Sequence, residues 1–274
     1  MNINSRVRLN NGVEMPLLGY GTYKISPGEM TQSCVRDALE VGYRHIDTAT
    51  YYGNERDVGT ALRESGIPRD EVFITTKLWN TEQGYEAALR AFDDSLERLN
   101  IDYVDLYLIH WPVPGKFNES WSALEDIYSG GRVRAIGVSN FLIHHLEELI
   151  SDSRTVPAVD QVEFHPHLVR LDLLEFCNSR NIRMEAWSPL KQGAIPVDRG
   201  MASVGWRYGK SASQATLRWD IQHGVITIPR STRRSHMEEN ADIYDFELTE
   251  AEMRTIDSMD RGENVGPDPD RINY

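Results

Sequence analysis

The sequence predicts an α/β protein in which eight parallel strands alternate with helices, as a closed (β/α)8 barrel or an open doubly wound sheet. Three observations carry this. Short runs rich in β-branched and aromatic residues recur: GYGTY (19–23), RHID (44–47), VFITT (72–76), YVDLYLI (103–109), VRAIGV (133–138), AVDQVE (158–163), IRMEAW (182–187) and VITI (225–228). Helical patterns separate them. An open dinucleotide-binding sheet would carry Gly-x-Gly-x-x-Gly after its first strand. Here Gly19-Tyr20-Gly21 runs into Thr22, Tyr23 and Lys24, without the third glycine.

The elements follow in order. Asn11-Gly12 sits between two short alternating runs and predicts a type I′ hairpin that lids one end of the barrel. Ser26-Pro27-Gly28-Glu29 reads as a capping box with Pro at the first helical position, ahead of Cys34, Ala38 and Val41. Tyr85, Ala88, Phe92, Leu96 and Leu99 recur at steps of three and four, one apolar face of a helix. Thr249 and Glu252 form a second capping box before Met253, Ile256 and Met259. The tail RGENVGPDPDRINY is rich in Gly, Pro and Asp and is expected to be extended, either as a disordered end or folded over the C-terminal face of the barrel. No linker or repeat interrupts the chain. Residues 1–274 are therefore expected to be one domain, with the hairpin over 1–18, the barrel over 19–260 and the tail over 261–274.

Composition narrows the function classes. There are 29 Lys+Arg against 42 Asp+Glu, a net charge of −13 with His neutral. That balance argues against a nucleic-acid or anionic-membrane partner, which needs clustered cations. Two cysteines, Cys34 and Cys177, make neither a disulfide framework nor a zinc site, so no metal is expected. The segment MNINSRVRLNNG has no apolar signal core, and no apolar run reaches the ~18 residues of a membrane span. The expectation is a cytoplasmic protein.

The informative residues lie at strand ends. Asp47 closes RHID, Lys77 follows VFITT, His110 follows YVDLYLI, and Tyr52 comes five residues after Asp47. In a parallel barrel all strand C-termini open on one face, so these side chains converge. A free phenol, with a pKa of about 10, is a weak acid at neutral pH; a nearby ammonium lowers that value. Burying the ammonium requires a carboxylate, and Asp47 with Lys77 supplies the pair. A neutral His110 donates a hydrogen bond where charge develops on a carbonyl oxygen. The set suits polarising and protonating a carbonyl while another group supplies hydride. Each residue also has a plainer explanation: Asp as a helix cap, Lys reaching for solvent, His-Trp-Pro as a packed turn.

At these residues the sequence resembles the aldo-keto reductase family. GYRHIDTATYYGNE (42–55), FITTKLWN (73–80), DLYLIHWP (105–112), AIGVSNF (135–141), VDQVEFHP (159–166), EAWSPL (185–190) and ITIPRS (226–231) look like its signatures, in family order. The likeness is strongest to its bacterial and protozoan branch, with diketo-gluconate reductases, prostaglandin-F-synthase-like enzymes and broad aldehyde reductases. The resemblance implies a single (β/α)8 TIM barrel that binds NADPH without a Rossmann motif. It implies a catalytic tetrad of Asp47, Tyr52, Lys77 and His110, with Tyr52 as proton donor.

By the same resemblance, Ser139, Asn140 and Gln161 hold the nicotinamide carboxamide, and Trp187 stacks on the ring where many relatives have Tyr. Ser188, Leu190 and Gln192 line the pyrophosphate, and Thr22 and Tyr23 sit near the nicotinamide. Arg230, Ser231, Thr232, Arg233, His236, Glu239 and Asn240 meet the 2′-phosphate and adenine, with Arg233 and Arg234 compensating for His236 where relatives have Arg. His236 implies that NADPH is preferred but NADH tolerated. Tyr23, Tyr51, Trp79 and Trp111 line the inner substrate pocket, and the loop VPGKFN (113–118) and the tail its outer part. The implied function is broad reduction of small-molecule aldehydes and ketones by a monomer. The alternatives are a dedicated diketo-sugar-acid or prostaglandin-type reductase and, from another class, a non-catalytic cofactor-binding barrel.

Overall fold

In the computed structural model, which describes residues 1–271, one sheet of eight parallel strands runs in strict sequence order. The strands are β3 (Tyr20–Gly21), β4 (His45–Asp47), β5 (Phe73–Leu78), β6 (Val104–Ile109), β7 (Val133–Ser139), β8 (Val159–Glu163), β9 (Arg183–Trp187) and β10 (Ile226–Thr227). Each of the eight segments read from the sequence holds one of them. The two edges meet through a parallel bridge between Leu18 and Thr227, with Gly19 N–H donating to the Thr227 carbonyl at 2.9 Å and Thr227 N–H to the Leu17 carbonyl at 3.0 Å. That contact closes the sheet into a barrel and removes its edges. A closed barrel with helices outside buries both faces of every strand, which is why all six residues of β5 and of β6 are buried.

Helices α1 (Glu29–Val41), α2 (Glu55–Glu64), α3 (Tyr85–Leu99), α4 (Phe117–Ser129), α5 (Ile143–Asp152), α6 (Leu171–Ser179), α7 (Arg199–Trp206), α8 (Ala212–Gln222), α9 (Arg234–Ala241) and α10 (Glu250–Asp257) surround it. In α3 the predicted stripe of Ala88, Phe92, Leu96 and Leu99 is buried, and Asn100 ends the helix in the left-handed region at φ 53°. Phe92 packs edge-on against Tyr107 of β6, ring centroids 4.9 Å apart. Removing such a side chain from water stabilises the fold by about 1.5–3 kcal/mol. Among the described residues, no helix is long and apolar enough to cross a membrane.

The Thr249–Glu252 capping box forms as expected. The Ser26–Glu29 box does not. Gly28 is the cap, at φ 94°, and no side chain caps the helix. The Gly28 N–H instead donates to Asp57 Oδ2 of α2 at 2.7 Å. The hairpin of β1 (Arg6–Arg8) and β2 (Glu14–Pro16) is present, but its turn is not type I′. Gly12 has φ 90° while Asn11 has no positive φ, and Gly12 N–H bonds to the Leu9 carbonyl. That is a turn over Asn10-Asn11 followed by a left-handed Gly. Asn10 and Asn11 donate to the carbonyls of Pro157 and Arg134, so the hairpin covers the N-terminal ends of β7 and β8. The opposite, C-terminal mouth stays open for chemistry.

One helix contact is unusually close. A Cβ on Gly59 of α2 would lie 1.9 Å from the Leu99 carbonyl oxygen at the end of α3. Backbone on both sides leaves nothing flexible to move. Gly59→Ala is expected to destabilise by about 1–3 kcal/mol, read as a lower urea midpoint with unchanged slope. An unchanged midpoint would contradict the packing.

Candidate active site

The four residues singled out at strand ends converge at the C-terminal mouth. Asp47 ends β4 and Lys77 lies on β5, both buried. Tyr52 ends a short helical turn, Thr50–Tyr52, directly after β4. Asn54, which the sequence reading passed over, fixes that turn. Its Oδ1 accepts from Thr48 Oγ1 at 2.7 Å and its Nδ2 donates to the Thr22 carbonyl at 3.1 Å. His110 follows β6, and its backbone N–H donates to the Leu78 carbonyl of β5.

Lys77 Nζ donates to Asp47 Oδ1 at 2.7 Å, Asp47 Oδ2 at 2.8 Å and the Thr48 carbonyl at 2.9 Å. The Tyr52 hydroxyl is fourth, at 3.3 Å. An ammonium has three protons, so the phenol receives the weakest share. The expectation that Lys77 lowers the Tyr52 pKa is corrected accordingly. Burial pushes the phenol well above its usual range, and the Asp47 charge adds to the rise. Tyr52 is thus a firmly protonated hydroxyl at neutral pH. Burial, reinforced by the Lys77 charge, holds His110 well below the usual imidazole range. His110 is therefore neutral, with ring contacts to Tyr52 and Trp79 at centroid distances of 5.8 and 5.1 Å.

Beneath this group lies a carboxylate that the sequence reading did not pick out. Gln161 of β8 donates through Nε2 to Asp47 Oδ2 and to Glu185 Oε2 of β9, both at 2.8 Å. Glu185 is fully buried. Burial first, then the Asp47 charge, lifts its carboxyl to about 8. Its other oxygen lies 3.7 Å from His45 Nε2 and accepts no hydrogen bond among the described residues.

A cavity of about 670 Å³ opens above these residues. Tyr23, Tyr51, Tyr52, Trp79, His110 and Trp111 line one end, with Tyr51 stacked on Trp79 at 3.9 Å and Tyr23 at 5.0 Å from the Tyr52 ring. Ser139, Asn140, Gln161 and Trp187 also line it, as do Ser188, Leu190 and Gln192. Ser188, Lys191 and Gln192 are non-glycine residues at φ 50°, 47° and 49°, a strained backbone of the kind that gathers at functional sites. Arg230, Ser231, His236, Glu239 and Asn240 line it as well.

Some expected residues stand elsewhere. Thr22, Thr232 and Arg233 are not among the lining residues, nor is the loop 113–118. Thr22 is buried, and its Oγ1 donates to the Asp47 carbonyl at 2.9 Å. Arg234 turns away to Asp37 and Glu40 of α1 and to Glu238, so its charge is spent outside the cavity. Lys24 is an addition to the reading: its Nζ donates to Gln192 Oε1 at 2.9 Å across the cavity rim. Trp187 carries an indole N–H that donates to Asn140 Oδ1 at 2.8 Å, which fixes that amide.

The tail crosses the C-terminal face through Arg271, and positions 272–274 lie outside the described residues. Val265 and Gly266 N–H groups donate to the Glu163 carboxylate at 2.6 and 3.0 Å. A Cβ on Gly266 would lie 2.5 Å from the Trp187 indole, so the large aromatic and the bare backbone fit each other. Val265, Gly266 and Pro267 line the cavity.

Comparison with known proteins agrees with this architecture. The model of the "Aldo/keto reductase family" matches residues 17–261. A glyoxal reductase of Bacillus subtilis is 50% identical over 266 residues, covering 97% of this chain and 96% of that protein. A 9,11-endoperoxide prostaglandin H2 reductase of Trypanosoma cruzi is 50% identical over 97% of this chain and 95% of its own length. A crystal structure of a Gox0644 mutant in complex with NADPH superposes with a TM-score of 0.94 at 38% identity, covering 99% of both chains. The barrel, the mouth that gathers four strand-end residues and these full-length likenesses have one common account: the chain belongs to the aldo/keto reductase family.

Proposed function

We propose that the protein is a monomeric, cytosolic NADPH-dependent reductase of small aldehydes and ketones, with Tyr52 as general acid. The observation that carries this reading is the protonated Tyr52 hydroxyl, bonded to Lys77 and beside a neutral His110 at the floor of the cavity.

The lining residues fit a phosphorylated dinucleotide. Arg230 offers an exposed cation among the lining residues, and His236 is another of them. Ser188, Leu190 and Gln192 follow the line toward Trp187, whose broad ring suits stacking. Ser139, Asn140 and Gln161, polar residues of the lining, would hold the carboxamide. NADPH supplies the hydride. Tyr52 donates its proton to the carbonyl oxygen as charge develops there, and Lys77 faces the phenolate left behind. Asp47 keeps Lys77 charged in a buried place. His110, neutral, orients the carbonyl by a hydrogen bond. With Arg234 engaged elsewhere and a His at 236 where relatives have Arg, the preference for NADPH over NADH is modest.

The substrate end favours a generalist for uncharged carbonyls over a sugar-acid reductase. Tyr23, Tyr51, Trp79 and Trp111 are aromatic, and the Lys and Arg side chains among the described lining residues are Arg230 and Lys24, whose Nζ is bonded to Gln192 and lies 5.4 Å from the Tyr23 ring centroid. A carboxylate beside these rings would have Lys24 as its nearest counter-charge, and only by drawing it away from Gln192. Purified protein is expected to oxidise NADPH with glyoxal, methylglyoxal and aromatic aldehydes at comparable kcat/KM, and to use diketo-sugar acids poorly. The panel, run with NADPH and NADH, checks both points. Efficient turnover of a sugar acid alone would overturn the generalist reading.

A further inference from the structure

We infer that Glu185 is a positioning residue that holds the Gln161 amide so that its carbonyl oxygen faces the cavity as a fixed acceptor for an amide N–H. The inference deepens the NADPH reading above and rests on it. Gln161 Nε2 carries two protons, and both have carboxylate acceptors, Asp47 Oδ2 and Glu185 Oε2, each at 2.8 Å. Asp47, held against the Lys77 ammonium at 2.7 and 2.8 Å, accepts and does not donate, so the NH2 end must face it and the oxygen must face away. That oxygen accepts no hydrogen bond among the described residues, and Gln161 lines the cavity. One hydrogen bond leaves an amide free to swing about it; two fix its plane. Asp47 alone would leave the swing, and Glu185 removes it.

Glu185 has little other employment. It is fully buried, and among the described residues Oε1 accepts no hydrogen bond, with His45 Nε2 at 3.7 Å. An unpaired buried carboxyl costs stability, which an apolar residue in this packed interior would avoid. The bond to Gln161 serves in either protonation state, because a carboxylic acid still accepts through its carbonyl oxygen. The ligand chemistry selected is specific. A fixed acceptor beside Trp187 and Asn140 suits the carboxamide NH2 of nicotinamide and not a ketone at the same place.

The test compares binding of NADP+ with binding of its 3-acetylpyridine analogue, which lacks the amide donor. Both are titrated by quenching of tryptophan fluorescence, without turnover. Wild type should bind NADP+ several-fold more tightly, up to about tenfold, the worth of one hydrogen bond. Glu185→Met should cut that ratio to about half or less, by weakening NADP+ and leaving the analogue nearly unchanged. Glu185→Gln, whose carbonyl takes the same bond, should keep the wild-type ratio. Glu185→Asp withdraws the acceptor while keeping the carboxylate and should narrow the ratio, so it serves where Glu185→Met does not fold. An unchanged ratio in the Met or Asp variant overturns the positioning role, as does an equal loss for both ligands. Failure of wild type to bind either dinucleotide overturns the cofactor reading underneath.

Discussion

Tyr52→Phe is expected to lower kcat for aldehyde reduction by about 10²–10⁴-fold, the usual worth of a positioned general acid. The NADPH dissociation constant should stay near the wild-type value. Among the described residues the phenol bonds only to Lys77, and its weak share of that ammonium means that losing it disturbs little else. The ring contacts to Tyr23 and His110 survive in Phe. Tyr51→Phe is the control. Tyr51 is exposed and stacks on Trp79, an arrangement that needs the ring and not the hydroxyl. It should change kcat less than about threefold, an effect of under 1 kcal/mol. The raised phenol pKa adds a pH signature. The proton that Tyr52 donates is present throughout the neutral range, so reduction should not fall as pH rises from 6 to 8 through ionisation of this group. Stopped-flow turnover of the three proteins across that range decides it. Equal losses in Tyr51→Phe and Tyr52→Phe would remove the assignment.

Much of this site was legible because barrel geometry does the work of convergence. Asp47, Lys77 and His110 needed only to be recognised as strand ends for the fold to bring them together. What stayed hidden depends on pairings between strands far apart in sequence. Asn54 acts by joining Thr48 to Thr22, and Glu185 acts through Gln161, 24 residues away. Both belong to familiar-looking segments, YYGNE and EAWSPL, in which nothing local marks them as network residues. Charge allocation was equally out of reach. Arg234 reads as part of a basic cluster until α1 supplies Asp37 and Glu40. Lys77 reads as a partner for Tyr52 until its protons are counted against three better acceptors. Turn chemistry misled in the same way. Ser26 has the right spacing for a cap, but Asp57 of another helix takes the Gly28 N–H and the cap settles at Gly28.

Breaking the buried ion pair on one side should cost far more than removing it altogether. Asp47→Leu leaves the Lys77 ammonium, fully buried, with the Thr48 carbonyl and the Tyr52 hydroxyl as its remaining partners. An uncompensated charge at such a site is expected to destabilise by about 3–5 kcal/mol. Lys77→Met leaves the opposite problem, an Asp47 carboxyl beside Glu185 with only Gln161 between them. That carboxyl can take up a proton, because burial already pushes it upward and Lys77 is the main force holding it down. Lys77→Met should therefore be the milder of the two at neutral pH, and milder still at pH 5. The double variant Asp47→Leu/Lys77→Met removes both charges together and should recover most of the lost stability, since apolar replacements of buried pairs are often near neutral. Turnover should not recover, because the residue that faces the phenolate has gone. Urea denaturation of the three variants at pH 5 and 7, set beside kcat, separates the two roles. A double variant as unstable as Asp47→Leu would mean that the pair is held for packing, and one that regains activity would mean that Tyr52 works without Lys77.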